Sequence, residues 1–268
     1  MSGLVPADPA TGGAPLPPPA DLVDLSGRVI VVTGAGGGIG RGVATRLSQA
    51  GAEVVAHTRS SPVDLTDRDG GPIPVVAADL TTVDGPADLV AATLELRGRI
   101  DGLVNNAAIQ TLAPLADLAD ADWRAMIDTD LTAAHRLTRL AAAAMIEAGR
   151  GGTVVHIASI EATQPAPDHE HYGVAKAGLV MHAKAAASAY GRHGIRVNAV
   201  SPGLVDRAGL AEQWPEGVAR WVSSAPLGRL GTPADVGDAC VFLCSDLSRW
   251  ITGIDLVVDG GVLTRPTW

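Results

Sequence analysis

Tyr172 and Lys176 stand four residues apart in Tyr172-Gly173-Val174-Ala175-Lys176, a spacing that puts a phenol and an ammonium on one face of a helix. A phenol with a pKa near ~10 is a poor proton carrier at neutral pH. A neighbouring cation stabilises the phenolate and draws that pKa toward the working range, so the pair suits proton transfer to or from an oxygen. The 268-residue chain has just two tyrosines and two lysines, against 18 arginines. At that rarity a given Tyr–Lys spacing arises by chance in about 1.5% of such chains, so coincidence is a weak explanation.

A second constellation is Thr33-Gly34-Ala35-Gly36-Gly37-Gly38-Ile39-Gly40, which follows an apolar run and opens a helical pattern. Glycine permits positive φ and a close approach of backbone to ligand, and a helix N terminus presents unpaired N–H groups. The run is therefore a cradle for a pyrophosphate. A merely Gly-rich turn is the alternative in a chain with 32 glycines, and the flanking strand and helix argue against it.

Other chemistries are disfavoured. Cys240 and Cys244 sit four apart in ACVFLC with no further ligand in sequence reach, which predicts buried thiols and a reducing cytoplasm rather than a metal site. His169 and His171 lack a fixed third partner, so no metal is expected there either. A net charge of -9 argues against a nucleic-acid surface. No apolar run is long enough to span a membrane, and the N terminus lacks the basic start and apolar core of a secretory signal. Charged residues make up 18%, against about 25% in an average soluble domain. That shortfall fits a surface partly hidden by self-association.

These groups need a scaffold, and the pattern supplies one. Residues 1–24 carry six prolines and are read as a flexible tail. Strands are expected at 28–33, 52–57, 73–79, 101–107, 152–159, 195–201 and 254–260. Helices are expected at 40–50, 86–97, 121–148, 171–190 and 233–245. Strand–helix alternation with nearly all-apolar, β-branched strands predicts an α/β fold: a doubly wound Rossmann-type parallel sheet with helices on both faces. No linker divides it, so residues 25–268 are read as one dinucleotide-binding domain.

The turn in the form TGxxxGIG, Asn105-Asn106-Ala107 after the fourth strand, and Tyr-x-x-x-Lys resemble the short-chain dehydrogenase/reductase family. The likeness extends to Ile195–Gly203, Thr252-Gly253 and Val258–Gly261, and spans essentially residues 25–262. It implies a nicotinamide-dependent oxidoreductase that interconverts a ketone or aldehyde with an alcohol. By resemblance Tyr172 carries the hydroxyl proton, Ser159 polarises the carbonyl, and Lys176 tunes Tyr172 and holds the nicotinamide ribose. Gly34, Gly36, Gly37, Gly38, Ile39 and Gly40 would hold the phosphates, Asp79 and Leu80 the adenine, Asn106 and Ala107 the ribose. Pro202, Gly203 and Val205 would lie at the carboxamide. The family also implies a dimer or tetramer built on the long helix and the Tyr-bearing helix, where Ala141–Ala144 and Ala185–Ala187 suit close approach.

Strand two ends in Thr58-Arg59 where NAD-preferring relatives place an Asp. No carboxylate repels a 2′-phosphate there and a guanidinium is at hand, so NADP(H) is favoured, with NAD(H) the alternative. Two positions depart from the family pattern. Asp130 stands where many relatives carry a catalytic Asn, and a carboxylate cannot donate an N–H. Arg207 replaces a Thr after Pro202-Gly203. The stretch between Ser159 and Tyr172 borders the pocket in the family and is polar here. Glu161 and His169, with Gln110 after strand four and Trp214 in the variable lid, are therefore candidates to meet a polar substrate. Trp214 and Trp221, seven apart, could lie on one helical face, either closing on substrate or packing in the core. Two other readings compete with this one. One is a sugar-nucleotide epimerase or dehydratase, whose TGxxGxxG turn is absent. The other is a catalytically weakened nucleotide-binding protein with a regulatory role, supported only by Asp130 and Arg207.

Overall fold

Short runs of Val, Ile and Leu that alternate with helical segments have few ways to bury both faces, and a parallel sheet between helix layers is the solution adopted. The computed structural model describes residues 17–60 and 63–265. The strands are β1 (Val29–Val32), β2 (Glu53–Thr58), β3 (Val75–Ala77), β4 (Gly102–Asn105), β5 (Gly152–Ile157), β6 (Ile195–Pro202) and β7 (Asp255–Val258). They form one parallel sheet in the order β3-β2-β1-β4-β5-β6-β7. In the centre Val31 faces Val55 on one side and Leu103 on the other.

Alternate strand residues feed two separate cores. Val29 and Val31 join one layer with α2 (Gly85–Arg97), α4 (Ala133–Ala148) and α5 (Glu170–Tyr190). Ile30 and Val32 join the opposite layer with α1 (Gly38–Gln49) and α8 (Pro233–Cys244). Each such side chain, fully withdrawn from water, contributes roughly 1.5–3 kcal/mol. Cys240 and Cys244 are buried free thiols in the α8 layer, as their apolar setting implied.

The strand order reverses direction between β1 and β4, and in such sheets ligands bind beyond the carboxyl ends of the strands at that point. The glycine turn leaves β1 there, and Asn106 leaves β4. The helix expected over 121–148 is continuous in path but not uniform. It runs as α3 (Asp120–Ile127), one wide π turn over Asp128–Thr132, and then α4. Asp130 lies in that wide turn and is buried. Two short helices, α6 (Leu210–Gln213) and α7 (Pro215–Ser224), follow β6. Residues 1–16 of the proline-rich segment lie outside the described residues. Further along it, the Leu22 carbonyl accepts the Asp246 N–H at 3.0 Å and Val23 packs against the α8-side core.

Candidate active site

The glycine turn is shaped by contacts that exclude side chains. Gly34 has φ 65°, and a Cβ there would lie 2.9 Å from the Ala107 Cα. A Cβ on Gly40 would lie 2.2 Å from the Gly34 carbonyl oxygen. Asn106 donates through Nδ2 to the carbonyls of Thr33 at 2.8 Å and Gly34 at 3.2 Å. Thr33 Oγ1 accepts the N–H groups of Asn106 and Ala107 at 2.8 and 2.9 Å. Asn106 and Ala107 thus brace the turn from β4. Helix α1 starts at Gly38 with no side-chain cap and no acidic residue in its first turn. Its leading N–H groups lack partners within the helix and meet no resident negative charge, which suits a dinucleotide pyrophosphate.

Sequence reasoning missed His57. Its Nδ1 accepts the Gly34 N–H at 3.3 Å and its Nε2–H donates to the Ala78 carbonyl at 2.9 Å. Burial holds the ring below its usual pKa, so it stays neutral with one nitrogen of each kind. A histidine in an otherwise apolar strand was the available signal. Beside it Thr58 is buried and Arg59 exposed at the end of β2. The exposed Asp79 carboxylate is lowered by the Thr81 hydroxyl and N–H, with a smaller pull from Arg59. Leu80 is buried in the core on the α2 side.

Across the turn, three elements converge on Tyr172. Ser159 ends the β5 segment in extended conformation, and its Oγ accepts the Glu161 N–H at 3.1 Å. It is both a cap of the short turn that follows and a hydrogen-bond partner of the Tyr172 phenol. Lys176 Nζ lies 5.2 Å from the Tyr172 ring centroid and donates to the Ile157 carbonyl at 3.1 Å. Asp130 completes the group, with Oδ2 3.2 Å from Lys176 Nζ and Oδ1 accepting the Ile109 N–H at 2.8 Å. The wide π turn delivers this carboxylate, and such turns recur at functional sites.

The electrostatics correct one expectation. Burial holds the Tyr172 phenol above its usual pKa; Lys176 pulls it down, but Asp130 and Glu161 push it further up, and the Ser159 bond lowers it slightly. The net direction is upward because burial outweighs the ammonium, whose pull the two carboxylates oppose. Burial likewise raises the Asp130 carboxyl, against the pull of Lys176.

The polar segment before α5 reaches the same place in part. Glu161 Oε2 lies 3.0 Å from His169 Nδ1, and the His169 ring stands 6.1 Å, centroid to centroid, from Tyr172. Asp168 adopts φ 64°, and its carbonyl accepts the Ala113 N–H at 2.9 Å. Thr111 Oγ1 and His171 Nε2 are 3.1 Å apart. These two bonds tie the loop carrying the exposed Gln110 to the start of α5. Pro202 is buried at the end of β6. A Cβ on Gly203 would lie 2.6 Å from the Trp221 ring, and Val205 bridges to Gly231. Trp221 lies within α7, and just before that helix stands Trp214. It sits at the break between α6 and α7, half exposed, with Arg220 5.9 Å from its ring. No hydrogen bond, ion pair or ring contact joins Trp214 or Arg207 to Tyr172 among the described residues, and no three metal-ligating side chains cluster there. No described helix is long and apolar enough to cross a membrane.

Residues 34–263 match the family model described as Enoyl-(Acyl carrier protein) reductase. Among curated proteins, the L-rhamnose 1-dehydrogenase (NAD(P)(+)) of Azotobacter vinelandii is 37% identical over 90% of this chain and 98% of its own. A short-chain type dehydrogenase/reductase from Mycobacterium marinum superposes with TM-score 0.83 at 33% identity, over 91% of this chain and 99% of that one. A gluconate 5-dehydrogenase from Burkholderia cenocepacia, solved with NADP and tartrate, gives TM-score 0.84 at 27% identity over 92% and 99%.

Proposed function

The chain belongs to the short-chain dehydrogenase/reductase family and is an NAD(P)-dependent oxidoreductase that interconverts an alcohol and a carbonyl, and on that premise we propose that Tyr172 is its general acid and base. The observation that carries this reading is the convergence of Ser159, Tyr172 and Lys176 at the carboxyl end of the sheet, beside the glycine turn. A nicotinamide dinucleotide supplies the hydride when bound. The chain's own groups handle the proton and the geometry. Tyr172, protonated at neutral pH because it is buried, gives its proton to a carbonyl oxygen in reduction and takes it from a hydroxyl in oxidation. Ser159 orients that oxygen. Lys176, fixed by Ile157 and Asp130, moderates the charge left on the phenol and would hold the nicotinamide ribose. With Ser159, Tyr172 and Lys176 all present, the regulatory, non-catalytic alternative is not favoured.

The α1 N terminus, Gly34, Asn106 and the Pro202–Val205 segment hold the dinucleotide in this reading. Exposed Arg59 and the absence of a carboxylate at Thr58 support NADP(H) over NAD(H). The Glu161–His169 pair beside Tyr172 offers both donors and acceptors to hydroxyl groups, so the substrate is a polyhydroxylated carbonyl or alcohol of sugar or sugar-acid type. The names of the rhamnose and gluconate relatives agree with that class. Most alanines expected at a subunit contact, among them Ala141, Ala142, Ala186 and Ala187, are buried within this chain. The exposed Val174 and Met181 on α5 remain to support a homo-oligomer. Buried free thiols agree with a cytoplasmic setting.

The test is spectrophotometric: sugars, sugar acids and simple aliphatic ketones or alcohols assayed with each nicotinamide cofactor. Turnover confined to polyhydroxylated compounds, with a higher kcat/KM for the phosphorylated cofactor, is expected. Equal turnover of unfunctionalised ketones would refute the substrate class.

A further inference from the structure

At the edge of the sheet opposite the glycine turn, where β1, β4, β5 and β6 begin, the surface is rich in arginine. A cavity of about 620 Å³ opens there, lined among others by Arg28, Arg99, Arg150, Arg196 and Arg249, with Asp101 and Asp246 as its carboxylates. Both carboxylates are occupied. Asp246 pairs with Arg28 at 2.7 Å. Asp101 pairs with Arg99 and also accepts the Val29 N–H at 2.8 Å.

The remaining guanidinium groups, those of Arg150, Arg196 and Arg249, form no ion pair among the described residues. Arg196 donates to the Leu243 carbonyl at 2.7 Å and Ser248 Oγ at 2.8 Å, closing the C terminus of α8 with neutral acceptors. Arg249 reaches the Asp246 carbonyl at 3.3 Å. Arg150 has neither a hydrogen bond nor an ion pair among the described residues. The Nε of Arg99 is buried without a partner. Five guanidinium groups against two carboxylates leave three positive charges in the cavity, within a chain whose net charge is -9. Trp250, 97% exposed, stands at the rim. Guanidinium forks match the planar oxygens of carboxylates and phosphates, and an exposed indole offers a flat apolar wall beside them.

We propose that this cavity is a binding site for a small, multiply charged anion, of polycarboxylate or polyphosphate chemistry, held by Arg150 and Arg249. It lies at the opposite ends of the strands from Tyr172, so its occupancy is independent of the dinucleotide.

The experiment is calorimetric titration of the full chain with citrate and, separately, tripolyphosphate. Whichever nicotinamide dinucleotide binds more tightly is kept saturating, to occupy the glycine turn. The expected result is one-to-one binding of at least one anion, weakened about tenfold or more in Arg150→Ala/Arg249→Ala and unchanged in Arg59→Ala. Binding of citrate alone assigns carboxylate chemistry, and of tripolyphosphate alone phosphate chemistry. Both replaced side chains are exposed; should the double variant lose its circular dichroism signature, Arg150→Gln must weaken binding by itself. Absence of binding by either anion, wild-type affinity in the variants, or loss of binding in Arg59→Ala overturns the proposal.

Discussion

Asp130 Oδ2 lies 3.2 Å from Lys176 Nζ, and both side chains are almost wholly buried. A buried carboxylate beside a buried ammonium gives a nearly neutral pair, so the field that Lys176 exerts on Tyr172 is partly cancelled. The phenol is correspondingly held above its usual pKa by burial, with Asp130 adding to the rise. Loss of either partner would strand an uncompensated charge in the interior.

Asp130→Asn tests that coupling. The amide keeps the shape, still accepts the Ile109 N–H and frees the full charge of Lys176 to act on the phenol. The acid limb of the alcohol-oxidation pH profile, which reports the deprotonation of Tyr172, should move to lower pH. Turnover at its optimum should stay within about tenfold of wild type or rise. An unmoved limb with collapsed activity would show that Asp130 acts on something other than Tyr172.

Arg59 governs cofactor choice in this account. Arg59→Ala should raise KM for NADPH about tenfold and leave KM for NADH unchanged, and Thr58→Asp should favour NADH outright. Steady-state kinetics with both cofactors checks this. An Arg59→Ala enzyme with the wild-type KM for NADPH would return the choice to Asp79 or to backbone contacts.

His156 sets an acid limit on stability. It is fully buried on β5, its Nδ1 is 3.1 Å from Asn105 Nδ2 and its Nε2 3.0 Å from His182 Nδ1. Burial, helped by His182, pulls its pKa from 6.5 to about 3. Between those values the unfolded chain binds a proton that the folded chain refuses. The stabilising contribution is therefore full above the unfolded pKa and is lost as pH falls toward the folded one, by up to ~1.4 kcal/mol per pH unit. His57 and His182 shift in the same direction. Urea unfolding at pH 7, 5.5 and 4.5 should give a shallower acid loss for His156→Gln than for wild type. Parallel slopes would assign the acid loss to other groups.

Gly40 tests the cradle. A Cβ would meet the Gly34 carbonyl oxygen at 2.2 Å, with backbone on both sides of the contact. Gly40→Ala should therefore weaken dinucleotide binding at least about tenfold and lower Tm, since neither partner can move without shifting the turn. Fluorescence titration with NADPH measures the first effect. Wild-type affinity would mean that the turn tolerates a wider shape than the one observed.

Features that depend on short stretches of chain were legible without coordinates. The seven strands follow from apolar runs, the glycine turn from its place between β1 and α1, and the Tyr172–Lys176 face from helical spacing. What escaped depends on distant packing. The wide turn over Asp128–Thr132 left no mark in an Ala-rich helical pattern, yet it aims Asp130 at Lys176. His57 reads as one polar residue in an apolar strand until Gly34 is seen on its ring nitrogen. The linked rings of His135, His182 and His156 come from three separate elements. The direction of the Tyr172 pKa was misjudged because sequence spacing reveals the cation and hides both the depth of burial and the opposing carboxylates.

The central claim is that the Tyr172 phenol carries the proton of the carbonyl–alcohol interconversion. Tyr172→Phe removes one oxygen and leaves the ring, the Lys176 contacts and the glycine turn in place, so dinucleotide affinity reports directly on whether the site is intact. The decisive measurement is single-turnover reduction of the best carbonyl substrate by this variant, with cofactor affinity measured in parallel. The account predicts a loss in rate of about a hundredfold or more with affinity changed less than about threefold. Wild-type turnover in Tyr172→Phe would contradict it.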